Sequence, residues 1–358
     1  MSDQLTETVA PQKISKHAYG QMIDQKIFLA AYDSKIARAA RTPNGEWAVQ
    51  QLASGNDVTC LAADPADPRL IYAGTRDGVL RSGDGGLTWQ PSGMAGHCVK
   101  SLAVSPHDGN VIYAGTRPAL IFISRDGGQS WAELEGFRRI PNRWWWFSPA
   151  EPGDWRAYVM CIAPSPTDPD VILAGVELGA VVRSEDGGQT WSRHRQGSLR
   201  DCHSLKFHAR NGAWAYEAGG TGGGASFSRD GGVTFRKAKR GLAKNYGIVC
   251  AADPEKPEIW YVCVAPGPMN AFGKEPEIYL YRATGGAGWQ PIGWDTHPLP
   301  VTPTALTTVP SAPGHLYAGL HNGDVWHTAD YGDSWQKLPF NLGGIWFSLL
   351  VLPGEPEA

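Results

Sequence analysis

One octapeptide, Ser82-Gly83-Asp84-Gly85-Gly86-Leu87-Thr88-Trp89, recurs at 124–131, at 184–191 and, with Phe235 in the last place, at 228–235. A further copy over 328–335 keeps Asp330, Gly332, Ser334 and Trp335, and two worn copies end at Trp47 and Trp289. The interval is roughly 40 to 50 residues, with short strand-like runs between copies, which marks a propeller rather than a helical solenoid. The octapeptide reads as a hairpin. Ser or Thr ends one strand, and the Asp carboxylate accepts backbone N–H groups across the turn. The glycines supply positive φ, and Thr-Trp starts the returning strand with its ring set between units.

Two more strands precede each copy. Ile71-Tyr72-Ala73-Gly74-Thr75 is echoed over 112–116, 173–176 and 316–320. Ahead of these lie inner-strand segments at 58–65, 99–106, 159–166, 202–209, 247–254 and 303–310, six for seven hairpins. The N-terminal unit, 26–50, lacks an inner strand, and 346–353 at the far end supplies one. The sequence therefore predicts an all-β, seven-bladed propeller with four-stranded blades over 26–358, closed by the C-terminal strand joining the N-terminal blade, with 1–25 as a tail. Closure leaves no inner edge exposed. The third place of each inner strand is small (Cys60, Ser101, Cys161, Ser204, Val249, Ala305, Ser348), as crowding near the axis requires.

Composition agrees and excludes other classes. Gly 44, Pro 27 and Trp 15 suit many short strands and tight turns. A formal net charge of −3 with interspersed signs leaves no nucleic-acid footprint. No apolar run is long enough to span a membrane. The polar 1–25 segment lacks the apolar centre of a secretory signal, which predicts a cytoplasmic protein. Six scattered cysteines without C-x-x-C spacing read as small apolar residues.

With five good copies, the repeat resembles the Asp-box, or BNR-repeat, propellers, a group that includes sialidases, xyloglucan-active glycoside hydrolases, sortilin-like receptors and the photosystem II assembly factor. The run Asp64-Pro65-Ala66-Asp67-Pro68 followed by Ile71 to Thr75 and the hairpin is most similar to the xyloglucan-active and assembly-factor repeats. The resemblance implies that the hairpin aspartates are structural. It also implies that ligands bind on the face carrying the second-to-third turns and the blade links. Arg139-Ile140-Pro141 matches a sialidase signature in letters but lies inside a blade link instead of near the start.

On that face the turns offer Tyr32, Asp33, Arg76, Asp77, Arg117, Glu177, His321 and Asn322, and the links offer Asn56, Asp57, His97, Lys100, Arg156, Tyr158, Arg200, Asp201, His203, Tyr246 and His297. Two insertions, 137–157 with Trp144-Trp145-Trp146 and 265–276 with Met269, Asn270 and Phe272, crown the same face. Long loops on a compact repeat serve as lids or binding loops. The glycine run at 219–224 enters no helix, so it allows close approach of chain or ligand in place of cradling phosphate.

Three functional readings follow. In the first, the chain is a glycosidase-like hydrolase taking a small polar or anionic ligand, such as a glycoside, at the channel mouth. Glu177 and Asp57, with Asp201 in reserve, form its carboxyl pair. Arg76 and Arg117 grip an anion. His97, His203, Tyr158, Tyr246 and His321 orient the ligand, and Trp144, Trp145 and Trp146 stack over it. No cofactor is expected. In the second, the chain is a non-catalytic assembly propeller with a protein partner. In the third, His97, His203, His297 and His321 hold a metal around the axis.

Overall fold

The computed structural model describes residues 26–354 except 54, 56, 152, 221–222, 286–287 and 295–296. The expected tail at 1–25, Asn56 and part of the 219–224 glycine run lie outside the described residues. The seven sheets follow one another in chain order around a ring, and each runs antiparallel from the axis outward.

The first sheet sets the closure. Its order is Leu349–Pro353, Lys26–Tyr32, Lys35–Arg41, Trp47–Ala53, so the last strand of the chain pairs with the first. Phe28 faces Val351 and Ala30 faces Leu349 in this antiparallel register. The expected closure is therefore observed. Six blades have four strands. The fourth blade has three: Val159–Pro164, Ile172–Val176 and Val181–Ser184. Its outer place is filled by irregular chain after Trp191. Ser192 N–H donates to the Arg183 carbonyl at 2.8 Å and Arg195 N–H to the Val181 carbonyl at 2.8 Å. His194 Nδ1 accepts from Val181 N–H at 3.1 Å, and Ser192 Oγ accepts from Arg183 N–H at 2.9 Å. Side chains thus finish this edge where another blade would use a strand.

The second strands are buried on both faces, which explains their unbroken apolar runs: Ile71–Thr75, Ile172–Val176 and Leu316–Leu320 are buried at every position. Burying a Leu, Ile or Phe contributes about 1.5–3 kcal/mol, so these strands carry much of the packing energy. The octapeptide forms the hairpin its residues predict. Asp84 Oδ1 accepts from Leu87 and Thr88 N–H at 3.0 and 2.9 Å, and Ser82 Oγ bonds the same oxygen at 2.7 Å. Burial opposes ionisation of Asp84, yet these donors together with the Thr88 hydroxyl prevail and hold its pKa down to about 2. Gly86 has φ +85°, and a Cβ there would lie 2.3 Å from Leu29 in the neighbouring blade. The terminal aromatics fill the seams between blades. Trp47 packs on Phe340 at 4.6 Å, and Trp131 Nε1 donates to the Ser92 carbonyl at 2.8 Å.

Four of the small third-place residues, Ser101, Cys161, Ser204 and Ser348, do more than avoid crowding. Around the axis each inner strand bonds the next. Thr59 Oγ1 donates to the Val99 carbonyl, Ser101 Oγ to that of Val159 at 2.8 Å, and Cys161 Sγ to that of His203 at 3.5 Å. Cys250 N–H donates to Ser204 Oγ at 3.3 Å, and Thr308 Oγ1 to the Ala252 carbonyl at 3.0 Å. Thr307 Oγ1 then donates to the Leu349 carbonyl at 2.8 Å, and Leu61 N–H to Ser348 Oγ at 2.8 Å. Those seven contacts form a closed circuit. The cysteines are all free thiols, three of them fully buried. Among the described residues no helix is long and apolar enough to cross a membrane.

A buried pair in the seventh blade gives the fold an acid limit. His315 Nδ1 and His327 Nε2 lie 2.9 Å apart. Burial, then the neighbouring histidine, pushes the His327 pKa down to about 3, and burial lowers that of His315 too. His327 therefore stays neutral in the fold, whereas in the unfolded chain it takes up a proton near pH 6.5, so stability is lost as pH falls below that value. Between pH 7 and pH 5 the loss from His327 is about 2 kcal/mol. Urea midpoints should fall accordingly over this range, and His327→Gln should flatten the dependence.

Candidate functional site at the channel mouth

The 137–157 insertion folds back against the second-to-third turns that carry Arg76, Arg117 and Glu177. After the short 3-10 turns Glu135–Arg139 and Arg143–Trp145, it forms a two-stranded hairpin of Phe147–Glu151 and Asp154–Arg156. Two clusters form where this hairpin meets the blades.

The first centres on Glu177, at the end of a second strand. The Tyr158 hydroxyl donates to Glu177 Oε2, and Ser148 Oγ from the hairpin donates to Oε1 at 3.3 Å. Burial raises the Glu177 pKa; the charge of His203 opposes the rise and that of Asp201 adds to it. Asp201 is buried and faces His203, with Oδ1 3.3 Å from Nε2. His203 Nδ1 donates to the Gly247 carbonyl at 2.7 Å, so both ring nitrogens face acceptors. Burial disfavours the imidazolium, but the Asp201 carboxylate and this carbonyl outweigh it and raise the His203 pKa. The Tyr246 ring packs 5.0 Å from His203, and burial together with Asp201 and Glu177 raises its pKa. Gly220 allows the close approach expected of the glycine run, since a Cβ there would lie 2.0 Å from Asp201 Oδ2.

The second cluster centres on a carboxylate that sequence reasoning missed. Glu151 Oε1 lies 2.8 Å from Arg117 Nη1 and 3.0 Å from Lys100 Nζ, and Oε2 lies 3.3 Å from Arg76 Nη1. Burial raises its pKa, but Lys100, Arg117 and Arg76 overcome this and hold it below the ordinary value. Arg117 is only 5% exposed, and its guanidinium also donates to the carbonyls of Arg156 at 3.0 Å and Asp154 at 3.3 Å. Arg76 completes the network with Asp57 at 3.0 Å. The paired arginines do converge on a carboxylate, and it belongs to the chain itself. The two clusters meet through Tyr158, whose ring lies 4.8 Å from the Arg117 guanidinium.

The other expected residues fall elsewhere. Asp57 is bound to Arg76, and among the described residues it touches neither Glu177 nor Asp201. His97 packs on Phe122 at 4.8 Å. His321 sits edge-on between Tyr32 and Trp346, at 5.7 and 5.4 Å, and Phe272 of the second insertion covers Trp346 at 5.3 Å. His297 stacks over Tyr279 at 6.5 Å. Among the described residues no three His, Cys, Asp or Glu side chains come together in a metal-holding group. Trp144 and Trp145 stack on each other at 4.3 Å and stand 72% and 60% exposed. Trp146 packs against Phe137 at 5.8 Å.

A second missed residue is Glu217, fully buried in the strand Ala215–Gly219. Its carboxyl oxygens accept from Leu199 N–H at 3.0 and 2.9 Å and bond the Ser226 hydroxyl. Leu199 lies two residues before Asp201, so Glu217 positions the link that carries Arg200 and Asp201. Burial pushes its pKa up to about 8. The signal was legible: register puts Glu217 in the place of Ala73, Ala114, Ala174 and Ala318 in other blades.

Two outcomes follow. Glu151→Gln leaves three cations facing a neutral amide and should cost about 1–2 kcal/mol at this partly exposed site. Hydrogen exchange over 147–156 should accelerate with it. Glu217 is protonated in the fold but ionised in the unfolded chain above its ordinary pKa, so its cost grows as pH rises, reaching about 3 kcal/mol near pH 7. Glu217→Gln removes that dependence, and its urea midpoint relative to the parent should be higher at pH 8 than at pH 5.

No known family profile matches the chain, and no curated protein matches it. Solved structures share the fold. The GH74 xyloglucanase from Xanthomonas campestris aligns with 20% identity and a TM-score of 0.63 over 87% of this chain and 53% of its own. The GH74 enzyme from Niastella koreensis aligns with 16% identity and a TM-score of 0.60 over 79% of this chain and 45% of its own. This chain thus spans about half the length of those enzymes. YCF48 bound to D1 peptide aligns with 16% identity and a TM-score of 0.55 over 92% of this chain and 98% of its own.

Proposed function

We propose that this propeller is a glycosidase-type hydrolase with Glu177 as proton donor and Asp201 as its partner carboxylate. One observation carries the reading. Glu177 is a half-buried carboxyl with a raised pKa, fixed by Tyr158 and Ser148 beside the Asp201–His203 pair. Glycoside cleavage uses two carboxyl groups in unlike surroundings, one that holds its proton more tightly than an ordinary carboxyl and one that acts as base or nucleophile. Glu177 gives its proton to the departing glycosidic oxygen. Asp201, paired with His203 at 3.3 Å, activates water or attacks the anomeric carbon. Tyr158 and Tyr246 orient the ring. Arg76 and Arg117 receive a ligand carboxylate only by exchanging it for Glu151. The fold shared with GH74 enzymes supports the reading without carrying it.

Turnover of a panel of aryl glycosides tests it. Glu177→Gln should lower kcat by about 10²–10⁴-fold, and the parent rate should fall as pH rises and Glu177 ionises. Undiminished turnover in the variant, or none in the parent, would end the proposal.

A second reading, a non-catalytic propeller that docks a protein partner, is favoured by a different observation: the cations of the Glu151 cluster already face a carboxylate of the chain itself. The near full-length match to YCF48, seen with a D1 peptide, supports it. It requires partner capture that disappears when 137–157 is deleted, with no glycoside turnover at all.

A further inference from the structure

Two of the tryptophans expected to stack over the ligand, Trp145 and Trp146, border a groove of about 880 Å³ between the insertion and blades four and five. Trp145, Trp146 and Phe147 of the insertion line it together with Arg193, Arg200 and Lys237 of the blades. No Asp or Glu lies among its described lining residues. Arg193 and Arg200 are exposed, and among the described residues neither has an acidic partner. Leu178 and Phe147 line the groove and adjoin Glu177 and Ser148, and Arg200 adjoins Asp201.

We propose that this groove binds an acidic polysaccharide, a chain of uronic acid residues, with the sugar faces on Trp145 and Trp146 and the carboxylates on Arg193, Arg200 and Lys237. Each uronate ring has an apolar C–H face and a carboxylate at its edge, which matches a groove lined by both indoles and cations. Trp144 backs Trp145 at 4.3 Å, so the indole bordering the groove is a supported plate. Guanidinium forks suit planar carboxylates. The volume lies within the range of about 300–1,000 Å³ usual for ligand sites.

An extended acidic peptide fits the charge but not the edge. Peptides gain affinity in such clefts by adding a strand. The outer edge of Val181–Ser184 is already closed by Ser192, His194 and Arg195. The assignment rests on the hydrolase reading only for what happens at Glu177; occupation of the groove requires no turnover.

Hexagalacturonate is the probe, with cellohexaose and hexaglutamate as comparisons, followed by tryptophan fluorescence and calorimetry. Hexagalacturonate should bind, shift the indole emission and weaken with added salt. Trp145→Ala and the double variant Arg193→Glu, Arg200→Glu should each weaken it about tenfold. These side chains are exposed, so unchanged circular dichroism should accompany the loss. Glu177→Gln should still bind hexagalacturonate, which separates failure of the hydrolase reading from failure of this one. Absent binding, equal binding of cellohexaose, or tighter binding of hexaglutamate each overturns the proposal.

Discussion

The interaction on which everything else depends is the circuit of hydrogen bonds around the axis. At every junction a hydroxyl, thiol or backbone N–H of one inner strand bonds its neighbour, from Thr59 and Val99 round to Ser348 and Leu61. Each bond contributes only about 1 kcal/mol. Their value is positional, because they fix the angle between successive blades and so the place where each blade link emerges. Glu177, Asp201 and His203 come from two blades joined by such a bond, Cys161 to the His203 carbonyl. A site assembled from separate blades keeps its geometry only while that spacing holds.

Within this frame the protein sets its buried acids to different tasks. Glu177 and Glu217 are both raised by burial, but one stands among Asp201, His203 and Tyr158 while the other is sealed beneath Leu199. Glu151 goes the opposite way because three cations surround it. The same chemical group thus holds its proton more tightly or less tightly according to what packs against it.

The fold was legible because it is written seven times. Asp84, Asp126, Asp186, Asp230 and Asp330 each make the hairpin bonds their spacing predicts, and the missing inner strand of 26–50 announced that 346–353 must return. The site was half legible. Strand order put Glu177, Asp201, His203, Tyr158 and Tyr246 on one face, and they do meet. Residues in the insertion were beyond reach, because no periodicity governs where Glu151 or Trp145 points. The pairing of Arg76 with Arg117 was visible as an internal repetition, but the carboxylate between them comes from a loop without a counterpart in other blades. The small inner residues revealed the crowding near the axis, yet not the bonds, since a Ser chosen for size and a Ser chosen to donate look alike.

The antiparallel seam between Lys26–Tyr32 and Leu349–Pro353 bears on how such a molecule is made. On the ribosome the earliest strands emerge long before their partner exists, so the first blade waits incomplete with its inner edge open while the other six are synthesised. The ring becomes one cooperative object only when the final strand arrives. An open strand edge invites pairing with another chain, which makes this interval the time of greatest exposure to a nascent neighbour.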